Sequence, residues 1–300
     1  MRQIFDPRNA DIVYWAAGAL RHRDEPGLSP FDSVVQGGDA VWEGLRVYEG
    51  RIYGLHDHLD RLYRSAHALG FAATPPRDEI IEAIRTTLAA NEMRDGVHIR
   101  LTLTRGVKVT SGMDPRLNEG GCTLVVLAEH KGPVYDTNGL RLITASVRRP
   151  APDVLDPKIH HNNLLNSILA KMQANAASAD DAIMLDDRGF VAETNATNLF
   201  TVVGRTLYTP YAYACPAGIT RATVLTLAPG ADLAAEERDL SLTDFYGADE
   251  VFCTGTMGEV AGVTEIDGRR IGGGAVGPVT KRIADLYRAY ARTHGVPVVA

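Results

Sequence analysis

Cysteine is scarce in this chain of 300 residues. Cys122, Cys215 and Cys253 are odd in number and share no C-x-x-C spacing, so neither a disulfide framework nor a zinc ribbon is supported. Long apolar runs are missing too; nothing approaches the roughly 18 residues of a membrane span. The opening Met1-Arg2-Gln3-Ile4-Phe5-Asp6-Pro7 lacks the apolar stretch of a signal peptide. The expectation is a soluble cytoplasmic protein. Basic charge is in deficit, with a formal net charge of −6, which argues against a nucleic-acid partner. Lysine is rarer still. Only Lys108, Lys131, Lys158, Lys171 and Lys281 occur, and every other basic residue is arginine. Chemistry that needs a primary amine therefore has five candidates.

What is present reads as an ordinary folded chain. Hydrophobic residues make up 45% and charged residues 23%, enough to bury a core. A prior of about 150 residues per domain gives two domains or one large unit. Ala40–Tyr48 and Arg51–Tyr53 read as strands around a Glu49-Gly50 turn. Leu59, Leu62, Tyr63, Ala66 and Leu69 mark one face of a helix from about His56 to Leu69, with Gly70 as its C′ residue. A second helix is expected over Arg77–Asn91, then strands at Val97–Thr104 and Thr123–Ala128. The polar stretch 131–138 separates a small domain (1–130) from a larger one (139–300). The second part should open with a strand over Leu140–Val147. A helix over Asn163–Ala176 follows, with Leu164, Leu165, Ile168, Leu169 and Met172 on one face. A hairpin around Asp186–Gly189 and a closing helix over Val279–Thr293 complete the α+β reading.

Several segments hold residues with chemical potential. Lys158 sits where a Pro-rich loop enters a helix, in Asp156-Pro157-Lys158-Ile159-His160-His161-Asn162-Asn163. A lysine amine can form an imine with an aldehyde when it is held partly desolvated. Glu193 lies between an apolar strand and small polar residues, where a carboxylate can hold a proton on a heteroaromatic nitrogen. Pro216-Ala217-Gly218-Ile219-Thr220-Arg221 precedes a helical stretch and offers backbone N–H groups to an anion. Thr254-Gly255-Thr256-Met257-Gly258 offers further hydroxyls, and Arg61 lies on the first helix. Each feature alone also fits a solvated loop, a turn or a surface helix.

Together and in this order they carry a resemblance. Gly38-Asp39-Ala40-Val41-Trp42-Glu43-Gly44-Leu45-Arg46-Val47-Tyr48, His58-Leu59-Asp60-Arg61-Leu62, Asn163–Ala170, Glu193–Phe200 and Gly218-Ile219-Thr220-Arg221 resemble the class IV aminotransferases. These are the pyridoxal-phosphate enzymes of fold type IV. The resemblance spans about residues 30–265. It implies a small α+β domain, a larger pseudo-barrel domain, a cofactor cleft between them and a homodimer. It implies ping-pong transfer of an amino group from an amino acid, branched-chain L-amino acids first, to a 2-oxo acid. By position, Lys158 would be the Schiff-base lysine and Glu193 would face the pyridine nitrogen. Arg61, Ile219, Thr220 and Thr256 would hold the phosphate. Arg100, Arg105 and Met257 would face the substrate, a guanidinium matching its carboxylate bidentately; strand alternation puts Arg100 and Arg105 on opposite faces.

Two departures accompany the resemblance. The family carries its lysine nearer to the matched asparagine, at the place held here by Ile159 or His160, whereas Lys158 lies five residues before Asn163. A residue or two bulged out of that loop would restore the geometry. Leu164 replaces the tyrosine usual in branched-chain enzymes. Thr104-Arg105-Gly106 resembles D-amino-acid aminotransferases and the lyases, whereas Trp42-Glu43-Gly44-Leu45-Arg46 resembles branched-chain enzymes. A D-amino-acid or (R)-amine transaminase and an aminodeoxychorismate lyase are therefore alternatives. A metal hydrolase built on His56, His58, His160 and His161 is a remote third, because His56 and His58 diverge on a helix; no metal is expected.

Overall fold

The computed structural model describes residues 4–132, 134–135 and 138–299. Met1–Gln3 of the N-terminal stretch, and residues 133, 136 and 137 of the expected linker, lie outside the described residues. The chain divides into two compact units. The smaller combines residues 4–132 with Ile159–Asn163 and residues 291–299. The larger holds the stretch ending at Lys158 and Leu164–Tyr290.

The smaller unit is a seven-stranded antiparallel sheet built from β1 (Val13–Ala16), β2 (Ala19–His22), β3 (Ala40–Tyr48), β4 (Arg51–Tyr53), β5 (Val97–Thr104) and β6 (Thr123–His130). A closing strand at Gly295–Pro297 pairs with β4, giving the order closing strand, β4, β3, β5, β6, β1, β2. The β1–β2 hairpin has no counterpart in the sequence reading. Its turn residues Ala17 and Gly18 both have positive φ, as a tight hairpin of this twist requires. Helix α1 (Ser33–Gly37) is short. Helices α2 (Leu55–Ala68) and α3 (Arg77–Ala90) cover the sheet. The apolar period drives this packing: Leu55, Leu59, Leu62 and Ala66 of α2 and Ile80, Ile84 and Leu88 of α3 are buried against Val41, Leu45, Ile99 and Leu101. Gly70, at φ +66, ends α2, and the Phe71 N–H bonds back to the Ala66 carbonyl.

The segment Ile159–Asn163 adds a short extra rung beside β3. Trp42 N–H donates to the His160 carbonyl (2.9 Å) and Asn162 N–H to the Ala40 carbonyl (2.8 Å), with Val41 and His161 opposite each other between them.

The larger unit carries a mixed nine-stranded sheet. Its strands are β7 (Leu140–Thr144), β8 (Asp181–Leu185), β9 (Val191–Thr194), β10 (Asn198–Val203), β11 (Thr206–Thr209), β12 (Ala234–Glu237), β13 (Glu250–Gly255), β14 (Glu259–Ile266) and β15 (Arg269–Arg270). They run β12-β11-β10-β13-β14-β7-β8-β9, with β15 on β14. The helices are α4 (Pro152–Leu155), α5 (Leu165–Ala176), α6 (Ile219–Leu227), α7 (Leu242–Tyr246) and α8 (Pro278–Thr293). Phe245 and Leu199 anchor one core, and Phe200 stacks on Phe252 at 4.9 Å.

Mixed helix and sheet agree with the α+β expectation, with two corrections of detail. Strand β7 stops at Thr144, whose N–H and hydroxyl both turn to the Asp267 carboxylate (2.6 Å each). Helix α5 starts at Leu165, and its long apolar side chains do not enter the core. Leu165, Ile168, Leu169 and Met172 are 74%, 50%, 49% and 60% exposed, while Ala170 and Ala174 pack against Ala182 and Met184. Small side chains let the helix lie close on β8, leaving the leucine face outward.

Candidate active site

In the larger unit, Glu193 projects from β9 into the interior, its side chain 7% exposed. Arg149, at the end of the stretch after β7, reaches it at 3.0 Å and also donates to the Ala214 carbonyl (3.2 Å) and Ser167 Oγ (3.0 Å). The Asn198 amide lies 3.4 Å from Glu193 Oε2 and 3.3 Å from the Pro216 carbonyl. Cys215 is buried nearby; burial, then the Glu193 charge, push its thiol far up, so it stays protonated and inert.

Beside Asn198 begins α6. Its N-cap is Gly218, with no side-chain cap, so the first N–H groups of the helix keep their donor capacity. A Cβ at Gly218 would lie 2.0 Å from Asn198 Oδ1, which explains the glycine. Ile219 and Thr220 follow; Thr220 is buried, with Oγ1 3.4 Å from the Tyr287 hydroxyl. Arg221 turns inward to the Pro210 carbonyl (2.8 Å) and Glu237. Thr256 and Met257 occupy the half-buried turn between β13 and β14. Two residues earlier, Thr254 Oγ1 is buried without a hydrogen-bond partner.

Lys158 is exposed in this unit. Its side chain is 46% accessible, and Nζ lies 2.9 Å from Asp156 Oδ1 and 3.4 Å from the Tyr213 carbonyl. The same aspartate accepts from the Lys158 N–H at 2.9 Å, fixing the turn.

In the smaller unit, Arg61 faces inward from α2. Its Nε and Nη2 fork onto Glu43, at 2.8 and 2.6 Å. The carboxylate is fully buried on β3 and also meets His58 Nδ1 at 2.6 Å and His160 Nδ1 at 3.3 Å. Burial opposes ionisation of Glu43, but the charges and hydrogen bonds of His160 and Arg61 outweigh it and hold the carboxyl well below 4.5. Burial likewise lowers the His160 imidazole below 6.5, only partly opposed by Glu43. His160 stacks on Trp42 at 4.2 Å, and the Arg100 guanidinium lies 3.5 Å over the Trp42 ring. Arg100 also bonds Asn162 Oδ1 at 2.6 Å, and burial lowers its pKa to about 10. Arg105 is committed elsewhere, to Asp39 and to the Leu69 and Gly70 carbonyls.

Glu193, Ile219 and Thr220 thus share one region of the larger unit, as the sequence groups them. Arg61, expected at a phosphate, is bound to an internal carboxylate. Reading by segment missed Arg149 and weighed His58 and His160 only as metal ligands, not as partners of Glu43. Only Glu43 carried a signal, as an acid inside a strand of apolar residues. Among the described residues no group of three or more His, Cys, Asp or Glu side chains is arranged to hold a metal ion. No described helix is long and apolar enough to cross a membrane.

Residues 40–266 match the family model of amino-transferase class IV. The chain belongs to the class IV aminotransferases. It is 56% identical, over 97% of its length, to branched-chain-amino-acid aminotransferase-like protein 2 of Arabidopsis thaliana, of which it covers 52%. The chain therefore spans about half the length of the curated plant relatives it matches. Putative branched-chain-amino-acid aminotransferase of Methanocaldococcus jannaschii is 42% identical, with 90% of this chain and 93% of that protein covered. Among solved structures, a branched-chain amino acid aminotransferase complexed with N-(5'-phosphopyridoxyl)-L-glutamate superposes with a TM-score of 0.88. It is 34% identical, and 95% of each chain is covered. The branched-chain aminotransferase of Thermoproteus uzoniensis with norvaline superposes with a TM-score of 0.87 at 28% identity, covering 95% of this chain and 96% of that one. The class IV family and its fold type IV architecture thus agree with the resemblance read from the motifs.

Proposed function

We propose that this class IV chain is a pyridoxal-phosphate-dependent aminotransferase that moves an amino group from an amino acid to a 2-oxo acid by a ping-pong cycle. One observation carries the reading. Glu193 is a buried carboxylate held by Arg149, one strand from a glycine-capped helix start. Bound pyridoxal phosphate supplies an aldehyde that accepts an amino group and a ring that delocalises the resulting charge. The residues of the larger unit fit two ends of that molecule. Glu193 suits a protonated ring nitrogen. The N–H groups of Ile219 and Thr220 suit a phosphate, as does Thr256 beside the unpartnered hydroxyl of Thr254. Of the two arginines of the smaller unit, Arg100 is the one left without a carboxylate partner for a substrate carboxylate to displace, since it meets the neutral Asn162 amide and the Trp42 ring whereas Arg105 is ion-paired with Asp39. Met257 is the apolar substrate contact in this reading.

Branched-chain L-amino acids are the first donors to test, given the relatives' names. A cytoplasmic location and a homodimer accompany the reading, and the outward apolar face of α5 supports the homodimer. The test incubates protein, pyridoxal phosphate and 2-oxoglutarate with L-leucine, L-valine, D-alanine or an (R)-arylamine. Glutamate formation from the L-donors is expected. No perturbation of the cofactor's visible absorbance and no amino transfer from any donor would reject the reading.

A further inference from the structure

The primary amine that this reading calls for is not held as an imine-forming lysine is. Amines are recruited for imine formation by desolvation or by a neighbouring cation. Lys158 instead has a side chain 46% exposed and a carboxylate at 2.9 Å. An extra residue looped out after Lys158 would bring it into the family's register, and the paired stretch 160–162 contains none. The rung beside β3 runs Trp42 with His160, Val41 with His161 and Ala40 with Asn162, one residue against one. His160 N–H is further tied to Ser65 Oγ at 3.0 Å, and the Asn163 amide to the Gly38 carbonyl at 3.1 Å. Gly38, at φ +68, would place a Cβ 2.9 Å from Asn163 Oδ1, so this contact is close. The register is locked from 160 to 163, and Lys158 stays in the turn ahead of it.

Neither residue at the position the family gives to its lysine is an amine: Ile159 is apolar, and His160, 16% exposed, is stacked on Trp42 and turned toward Glu43. An imidazole carries protons but offers no primary amine for an imine. No other lysine substitutes. Lys171 is held by Asp181 (3.0 Å) within α5, and Lys108 by the Gly112 carbonyl. Lys131 lies just beyond β6, and Lys281 is on the surface of α8.

We propose that this chain holds pyridoxal phosphate without a covalent bond to any lysine, a histidine, His160, taking the sequence position of the family's amine. The inference rests on the cofactor assignment above and deepens it. The acid and the helix start retain the cofactor's ring and phosphate, and the bond to the aldehyde is missing.

The experiment separates this inference from that assignment. Protein saturated with pyridoxal phosphate is titrated by absorbance, reduced with borohydride, digested and mapped by mass spectrometry. Saturable binding with no lysine peptide carrying the cofactor is expected, and the cofactor should wash out on desalting of unreduced protein. In His160→Lys, the reduced cofactor should appear on the peptide bearing position 160, and amino transfer should rise about tenfold or more, equivalent to about 1.4 kcal/mol. A labelled Lys158 peptide in the wild-type protein would overturn the inference and leave the cofactor assignment standing. Absence of saturable binding would overturn both.

Discussion

Arg149 and Glu193 form an ion pair at 3.0 Å inside the larger unit, with side chains 11% and 7% exposed. Removing one member of a buried pair strands the other, which costs about 3–5 kcal/mol. Arg149→Met should therefore lower the urea-unfolding free energy by an amount in that range. The double variant Arg149→Met with Glu193→Gln should recover part of it. An unchanged midpoint in the single variant would show that the pair contributes nothing to folding.

The Glu43 cluster gives the fold a pH dependence of known sign. The carboxyl of Glu43 is held well below 4.5 by His160 and Arg61 against the pull of burial, and burial lowers His160 below 6.5. In both cases the unfolded chain binds the proton more readily, so stability is full above these values and falls as pH drops through 6.5 and then 4.5. Thermal unfolding between pH 8 and pH 3 should show this decline. Glu43→Gln should flatten its lower part while lowering the midpoint at pH 7. A lower limb as steep in Glu43→Gln as in the wild type would remove the assignment.

At Gly218 the prediction concerns both folding and binding. A methyl group there meets Asn198 Oδ1 at 2.0 Å, so Asn198 or the helix start must move. Gly218→Ala should destabilise by about 1–3 kcal/mol, the range for overpacking. It should weaken pyridoxal-phosphate binding about tenfold, or 1.4 kcal/mol, read by fluorescence titration. Wild-type affinity would show that this helix start does not hold the phosphate.

The outward face of α5 predicts an oligomer. Ile168→Glu places a charge among Leu165, Leu169 and Met172, all exposed in the single chain. Sedimentation should change from dimer to monomer with helix content retained. A wild-type chain that sediments as a monomer would remove the dimer instead.

Much of the smaller unit is legible in the sequence because its signals are periodic. Leu59, Leu62 and Ala66 return every helical turn and locate α2 within a residue at its ends. The β1–β2 hairpin is not, since its strands have four residues each and its turn is Ala17-Gly18 rather than Asn-Gly. The α5 stripe is visible but its direction is not, because periodicity shows that a face is apolar without showing what covers it. Glu193 can be found from its flanking residues. Arg149 cannot, as nothing in a Pro-rich stretch marks an arginine that will meet a strand far along the chain. The lysine count drew attention to Lys158, whereas its reach is set by backbone pairing at 160–162, which no composition reveals.

Because Ile159–Asn163 and residues 291–299 complete the smaller unit, it is assembled from three separate lengths of polypeptide. On the ribosome, β4 waits until Gly295–Pro297 arrives to cover its edge. A polypeptide ended at Gly132 would present two bare backbone edges, one on β3 and one on β4, and should self-associate as it emerges. The smaller unit is therefore complete only once all three lengths have been made.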